Sequence, residues 1–427
     1  MENPLWTLIR ERGESIFSVC SANEIVLRAA LRQGLRHDLP LLVEATANQV
    51  NQFGGYTGMT PADFARSVRT LAREEGFPAD RLILGGDHLG PLVWQAEAAG
   101  AAMEKAETLI GAFVLAGYSK IHIDTSMRLG DDDKNLPLNV RTVAERSARL
   151  ARAAERAFEA LRAQDPGAVH PVYVIGSEVP TPGGAESDEE AVSVTKAGDF
   201  RRMMEIFREV YHREGADAAF DRIIAAVVQP GVEFSDDTVT EYDAQKAEEL
   251  VVALSGYPGL AFEGHSTDYQ TKECLRAMVR DGVRILKVGP ALTFSAREGL
   301  FALEGIEREL CGEGLSDFRA TLERVMREDD RYWKKYYHGT PREVAVKLAY
   351  SYSDRSRYYM GSRAVQDSVR SMYRNVDGAK PPLSVLRQYM PAQYDRVRRG
   401  EIQARAEVLV SDKVRDFLDD YYHACGK

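Results

Sequence analysis

Eight short apolar runs alternate with amphipathic, helix-patterned stretches between residues 16 and 312, and this alternation restricts the fold more than any other feature of the chain. The runs span residues 16–21, 41–46, 82–87, 120–126, 171–179, 223–231, 260–267 and 285–293. Each is a few residues of Val, Ile, Leu or Ala that then turns polar or glycine-rich. Continuous apolar runs suit strands buried on both faces, as in a parallel sheet. A strand-then-helix unit repeated eight times predicts an α/β fold of the TIM (β/α)8 barrel type. A doubly wound open sheet is the alternative that the same alternation allows. Beyond Gly312 only helical patterns remain. The predicted division is therefore a barrel over 1–312 and a helical C-terminal extension over 313–427.

In such a barrel, binding and chemistry sit at the carboxyl ends of the strands. The unusual residues of this chain fall at those ends: SVCS at 18–21, EATANQ at 44–49, Asp87-His88, HIDTS at 122–126, Glu178, QPG at 229–231, EGHS at 263–266 and KVGP at 287–290. Singly, each reads as a cap or turn residue; Asp87 in particular suits a helix N-cap. Together they read as a site. A buried carboxylate needs a partner or a metal, and neutral imidazole is a common metal ligand. His88 and His265, with Glu178 adding a carboxylate oxygen, form a plausible site for a divalent ion with open positions. Asp87 beside His88 suits general acid–base work. His122 shares a strand face with Asp124 and reads equally as a site residue or a core histidine. The loops after strands seven and eight, carrying Ser266 and Gly289, are where backbone N–H groups often hold phosphate in this fold, with Lys287 adding charge.

Two loops stand out. Residues 51–60, NQFGGYTGMT, have a composition able to close over a ligand, whereas 181–195 reads as a Pro-Gly turn followed by a solvated acidic stretch. The formal charge of −10 leaves no basic surplus for nucleic acid. The Tyr- and Trp-rich helices at 331–360 are accordingly expected to pack on the barrel or on a sister subunit. Four cysteines without CxxC spacing fit a reduced, cytoplasmic protein. With no apolar leader and no apolar run of about 18 residues, neither a signal peptide nor a membrane span is expected.

The strings EATANQVNQFGGYTGMTPADF, GGDHLGP, KIHIDTSM, IGSEVPTPGG, VVQPGVEF, EGHSTDYQ, LKVGPALTF and YWKKYY closely resemble the Z-subunit family of class II D-tagatose-1,6-bisphosphate aldolase, in order and over nearly the full length. The resemblance implies a barrel related to class II aldolases. Members of the family are described either as non-catalytic partners of a separate aldolase subunit or as 4-epimerases of tagatose or fructose phosphates. Class II aldolases bind zinc through three histidines, one following a catalytic aspartate. By that pattern Asp87 resembles the proton-transfer aspartate, with His88 and His265 as ligands. The strand-six histidine is replaced by Gln229, so a glutamate, Glu178 or Glu263, is expected to complete a different metal site. The resulting expectation has Asp87 and Glu178 as catalytic groups, and His88, His265 and Glu263 as ligands of a divalent metal, zinc or alternatively manganese. Asn48, Gln49, Asp124, Ser126, Gln229, Ser266, Lys287 and Gly289 are expected to bind a phosphorylated ketohexose. The implied function is retro-aldol chemistry in tagatose- or galactitol-type catabolism, as 4-epimerase or aldolase, within a homo-oligomer. The alternative is a non-catalytic subunit that stabilises and activates a class II aldolase catalytic subunit.

Overall fold

Each of the eight apolar runs forms a strand. In the computed structural model, which describes residues 2–177 and 192–426, these are β1 (Ile16–Val19), β2 (Leu41–Thr46), β3 (Leu82–Leu89), β4 (Lys120–Ile123), β5 (Val172–Ile175), β6 (Ile223–Val228), β7 (Ala261–Gly264) and β8 (Val283–Val288). All pair in parallel with their sequence neighbours, and β8 returns to β1, Ile16 opposite Ile285, to close the barrel. Closure excludes the open-sheet alternative.

The outer ring comprises α1 (Glu24–His37), α2 (Pro61–Glu74), α3 (Ala99–Leu115), α4 (Val140–Gln164), α5 (Ala197–Arg213), α6 (Ala244–Leu254), α7 (Lys272–Arg280) and α8 (Pro290–Leu310). Helix α2 shows how local sequence sets an element. Thr60 accepts from the Asp63 N–H while Asp63 reaches back to the Thr60 N–H, and Pro61 opens the first turn. Phe64, Val68 and Leu71, spaced four and three apart, bury the inner stripe. Loss of the Thr60 cap would cost about 1 kcal/mol.

Strand alternation divides the barrel side chains. Leu41, Val43 and Ala45 face the helices, while Leu42 and Glu44 face inward. The lower interior is apolar, built from Ile16, Leu42, Ile83, Val174 and Ile285, and is plugged by Leu5 and Ile9 from the N-terminal helical turn. Higher up, the filling becomes charged. Gly85 makes room for this: a Cβ there would lie 2.4 Å from Glu44 Oε1. Glycine thus lets the Glu44 carboxylate cross β3 towards β4.

Beyond α8 the described chain is helical: α9 (Phe318–Glu328), α10 (Pro341–Tyr350), α11 (Arg363–Ala379), α12 (Leu383–Tyr389), α13 (Pro391–Arg398) and α14 (Ala406–Ala424). This part has an apolar cluster of its own around Phe318, Leu322, Met326 and Met372. Helix α14, however, contributes Val414, Leu418, Tyr421 and Tyr422 to the barrel core. Tyr422 meets Phe17 edge-on at 4.8 Å, and the Tyr421 hydroxyl donates to the Thr267 carbonyl at 2.8 Å. Residues 331–360 also lie on the barrel: the Tyr352 N–H donates to the Asp236 carbonyl, and Arg297 pairs with Asp354 at 2.9 Å.

Removing 313–427 would strip these covers from apolar barrel surface. The truncated chain is expected to be insoluble or misassembled by size-exclusion chromatography and circular dichroism. A soluble truncation with native spectra would contradict this. No described helix is long and apolar enough to cross a membrane, and no disulfide joins any of the four cysteines among the described residues.

Candidate active site

Asp87 and His88 are adjacent, and a regular strand would point them to opposite faces. The structure brings both to the barrel mouth because His88 adopts a left-handed backbone, φ +46°, within an irregularity where Gly86 pairs with Ile121 and Leu89 with Ile123. Such a φ is uncommon for a non-glycine residue, and strain of this kind concentrates at functional positions. Asp87 caps no helix. The turn that follows, Pro91–Trp94, has Gly90 at its N-cap and no side-chain cap.

Asp87 Oδ1 lies 3.0 Å from His122 Nδ1 and 3.0 Å from Lys287 Nζ. His88 Nδ1 is 2.9 Å from Asp124 Oδ2, and the Ser126 hydroxyl donates to Asp124 Oδ1 at 2.7 Å. His265 Nε2 is 2.9 Å from Glu263 Oε1. Below them Lys120 Nζ bridges Glu44 Oε1 at 2.6 Å and Glu263 Oε2 at 2.7 Å. Lys287 also bonds Glu44, whose Oε2 accepts from Ser18. The three imidazole rings form a triangle with centroids 4.8–5.1 Å apart.

These charges set one another's protonation. Burial favours a neutral Asp87, but His88, His122 and His265 outweigh it and hold the carboxyl well below the usual range. For Glu263, burial is outweighed by Lys120 and His265, bringing it to about 2. His88 is raised, since Asp87 and Asp124 overcome its burial, whereas burial lowers His265. Burial also lowers Lys287 to about 8.

The donor set fits a divalent cation. Ligand atoms of Asp87, His122, Glu263 and His265 all lie within 4.8 Å of one another, every residue buried. His122 Nδ1 sits between Asp87 Oδ1 and the His88 N–H, 3.1 Å away, and can serve only one of them. The tautomer that donates to Asp87 leaves Nε2 as a lone pair, and Nε2 is buried without a partner among the described residues. A carboxylate orienting an imidazole whose other nitrogen is free is a common metal-binding arrangement. Charge agrees as well. Among the described residues four carboxylates (Glu44, Asp87, Asp124, Glu263) face two ammoniums (Lys120, Lys287), leaving two negative charges when the histidines are neutral.

Of the expected residues, Asn48, Gln49, Asp87, His88, His265, Ser266, Lys287 and Gly289 line one cavity of about 90 Å³ at the mouth. Glu263 lies directly beneath it, fully buried. Asp124 and Ser126 act through His88 and do not line the cavity. Gln229 is turned away: its Oε1 accepts from the N–H groups of Gly231 and Val232. Glu178 and residues 181–191 of the acidic loop lie outside the described residues. The Gly289 N–H, expected to reach a phosphate, donates instead to Asp268 Oδ1 at 3.0 Å, as does Ala291 at 2.8 Å. Asp268 is itself pushed by burial to about 6.

Several residues at the mouth gave no clear signal in sequence. Lys120 is marked only by being a lysine within an apolar run. Tyr56, Arg357 and Tyr358 close the cavity from above, the two tyrosine rings 4.6 Å apart. Tyr56 belongs to the glycine-rich loop at 51–60. Arg357 and Tyr358 come from the C-terminal helical region.

Metal content gives a direct test. His122→Ala and His265→Ala proteins are expected to bind substantially less Zn²⁺ or Mn²⁺ than wild type by elemental analysis after dialysis, with His88→Ala reduced as well. Wild-type content in all three would contradict a metal at this site.

Comparison with known proteins places these features in context. A family described as D-tagatose-1,6-bisphosphate aldolase subunit GatZ/KbaZ-like matches residues 8–426. The chain is 48% identical over 412 residues to the D-tagatose-1,6-bisphosphate aldolase subunit GatZ of Klebsiella pneumoniae subsp. pneumoniae, covering 96% of each. It also matches a crystal structure described as a probable tagatose 6 phosphate kinase from Sinorhizobium meliloti 1021, with TM-score 0.87 and 41% identity, over 96% of this chain and 100% of that one.

Proposed function

The chain belongs to the D-tagatose-1,6-bisphosphate aldolase subunit GatZ/KbaZ-like family, and from that premise we propose that its own barrel mouth performs metal-assisted retro-aldol chemistry on a phosphorylated ketohexose. The product is either the C4 epimer of a tagatose phosphate or its two cleavage fragments. The observation that carries this reading is the buried charge network beneath the mouth. Glu44, Lys120 and Glu263 are fully buried, and Asp87, His88, His265 and Lys287 nearly so. Burying ions costs several kcal/mol each before pairing, and apolar replacements are often neutral or stabilising. A chain that served only as a scaffold would gain stability by losing such a network. One poised for chemistry keeps it.

His122, His265 and Glu263 of that donor set would hold a divalent metal, zinc or manganese, with the His88 ring beside them and Asp87 left for proton transfer. When bound, the metal would supply Lewis-acid polarisation of the ketose oxygens. Asp87, ionised and exposed to the cavity, takes the proton of the C4 hydroxyl as the C3–C4 bond breaks. Lys287, 3.0 Å from Asp87 Oδ1, keeps that carboxylate charged and placed. Asp124, steadied by Ser126, fixes the His88 ring. Asn48 and Ser266 offer polar contacts to the sugar hydroxyls, while the Gln49 amide lines the cavity with its Oε1 accepting from the Thr46 N–H and its Nε2 donating to the Cys20 carbonyl. Rotation of the aldehyde fragment before re-addition gives the 4-epimer, and its release gives aldolase activity.

The test is to incubate the purified chain, without other proteins, with Zn²⁺, Mn²⁺ or Mg²⁺ and with mono- and bisphosphates of tagatose and fructose. NMR is expected to show metal-dependent C4 epimer or triose products. The kinase description of the Sinorhizobium meliloti chain implies a nucleotide requirement, so product formed without ATP separates the two activities. A second reading is favoured by the word subunit in the Klebsiella pneumoniae relative's name: a helper without turnover that supports a separate aldolase subunit. No product from the chain alone, together with stimulation of such a subunit, would favour it.

A further inference from the structure

A phosphorylated substrate needs an anion anchor, and the expected one is occupied. The N–H groups of Gly289 and Ala291 at the start of α8 donate to Asp268. Besides its histidines, the mouth cavity is lined by two cations, Lys287 and Arg357. Lys287 is already bound to Glu44 and Asp87. Arg357 has no carboxylate within ion-pair distance among the described residues. Its Nη1 donates to main-chain carbonyls of Ser353 and Asp354, and its Nη2 donates to the Tyr358 hydroxyl at 3.1 Å.

Arg355 lies two residues away, is 3% exposed, and has its Nε and Nη2 buried without hydrogen-bond partners among the described residues. It also lacks a carboxylate partner among the described residues, and its guanidinium rests 3.4 Å over the Tyr336 ring. Asp354, their neighbour in sequence, pairs through Oδ1 with Arg297 and is not within ion-pair distance of either arginine, although its field helps to keep Arg357 charged. Burial raises the Tyr358 phenol, but Arg357 and Arg355 outweigh it and hold it below its ordinary value. Both guanidiniums therefore act on the same wall of the site. Arg355 is buried and Arg357 half-buried, and neither has a carboxylate partner among the described residues. Guanidiniums so placed are costly unless an anion joins them.

Arg357 and Tyr358 also line a second, larger cavity of about 980 Å³ between the barrel and the C-terminal helices. Cys20, Gln49 and Tyr56 are shared between the two cavities as well. A sugar with its reacting carbons at Asp87 thus has room to carry a charged end past this wall.

We propose that Arg357, backed by Arg355 and assisted by the Tyr358 hydroxyl, binds the phosphate group of the substrate. The C-terminal helical region then completes the barrel's site by supplying its phosphate anchor. Guanidinium suits phosphate oxygens through paired, charge-assisted hydrogen bonds. This rests on reading the mouth as a sugar-phosphate site, but it can be tested without turnover.

The experiment is isothermal titration of the full chain with inorganic phosphate, tagatose 6-phosphate and unphosphorylated tagatose, for wild type, R357Q and R357K. Wild type is expected to bind phosphate and the sugar phosphate. R357Q should weaken both on the order of 10- to 100-fold, as loss of hydrogen bonds to a charged group implies. R357K should retain part of the affinity, and metal content should not change. A wild type that binds no phosphate, or an R357Q that binds it equally well, overturns the proposal. Because Arg357 also holds main-chain carbonyls, R357Q could misfold. A tungstate-soaked wild-type crystal covers that case. An anomalous peak within hydrogen-bond reach of the Arg357 guanidinium supports the assignment, and a peak elsewhere or none refutes it. If Arg357-dependent binding is found without turnover, the catalytic reading fails and this one stands. Turnover with binding indifferent to Arg357 gives the reverse.

Discussion

Asp87→Asn protein is expected to fold, to bind metal at close to the wild-type level, and to lose turnover by a factor on the order of 10² or more. Asparagine keeps the size of the side chain and an oxygen for the His122 contact. It cannot accept the proton of a sugar hydroxyl. The structure removes the competing explanation that Asp87 is a helix cap, since Gly90 occupies the N-cap of the following turn. Asp87 is instead held between His122 and Lys287, nearly buried, with its carboxyl charged at neutral pH. Rate assays, elemental analysis and thermal unfolding on one preparation separate the outcomes. Unchanged turnover with unchanged metal would show that Asp87 is no proton carrier.

Lys120→Met should have the largest effect on stability. The Lys120 ammonium is fully buried between Glu44 and Glu263, which lie on strands across the barrel from one another. Removing it leaves Glu44 to Lys287 and Ser18 and leaves Glu263 with His265 alone at hydrogen-bond distance, so a buried carboxylate loses its close ammonium at a cost of about 3–5 kcal/mol. That is a large share of a typical total of about 5–15 kcal/mol. The urea midpoint is expected to fall steeply, or the protein to be recovered unfolded. Exchanging Glu263 for Gln in the Lys120→Met background should recover part of the loss, because the lysine's absence then strands one carboxylate fewer. A midpoint unchanged from wild type in the single variant would contradict the pairing.

The barrel was legible because parallel strands buried on both faces leave continuous apolar runs, and all eight runs became strands. The site was legible in part. Residue type marked Asp87 and His88, but alternation forbids both from facing inward, and only the positive φ at His88 resolves that. Strand parity placed His122 on one face with Asp124 and left it equally a site residue or a core histidine; that its Nε2 has no partner among the described residues depends on neighbours from other strands. Gln229 occupied the expected strand end, yet a short-range bond to its own loop claims its side chain. Arg357 and Tyr358 were read as part of an aromatic, basic packing surface. Nothing local ties residue 357 to a cavity built by β3, β7 and β8. That link exists only because the chain after α8 folds back over the mouth.

The most direct test is to run the isolated chain with tagatose 6-phosphate and a divalent metal in D2O, following C4 by ¹H and ¹³C NMR. A retro-aldol step breaks C3–C4 and leaves the C4–H bond intact. The expected result is metal-dependent 4-epimer, or triose fragments, with the original hydrogen retained at carbon 4 and the reaction lost in Asp87→Asn. Epimer carrying deuterium at C4 would contradict C3–C4 cleavage. No product from the chain alone with any metal, while it raises the turnover of a separate aldolase subunit, would contradict the claim that this barrel performs the chemistry itself.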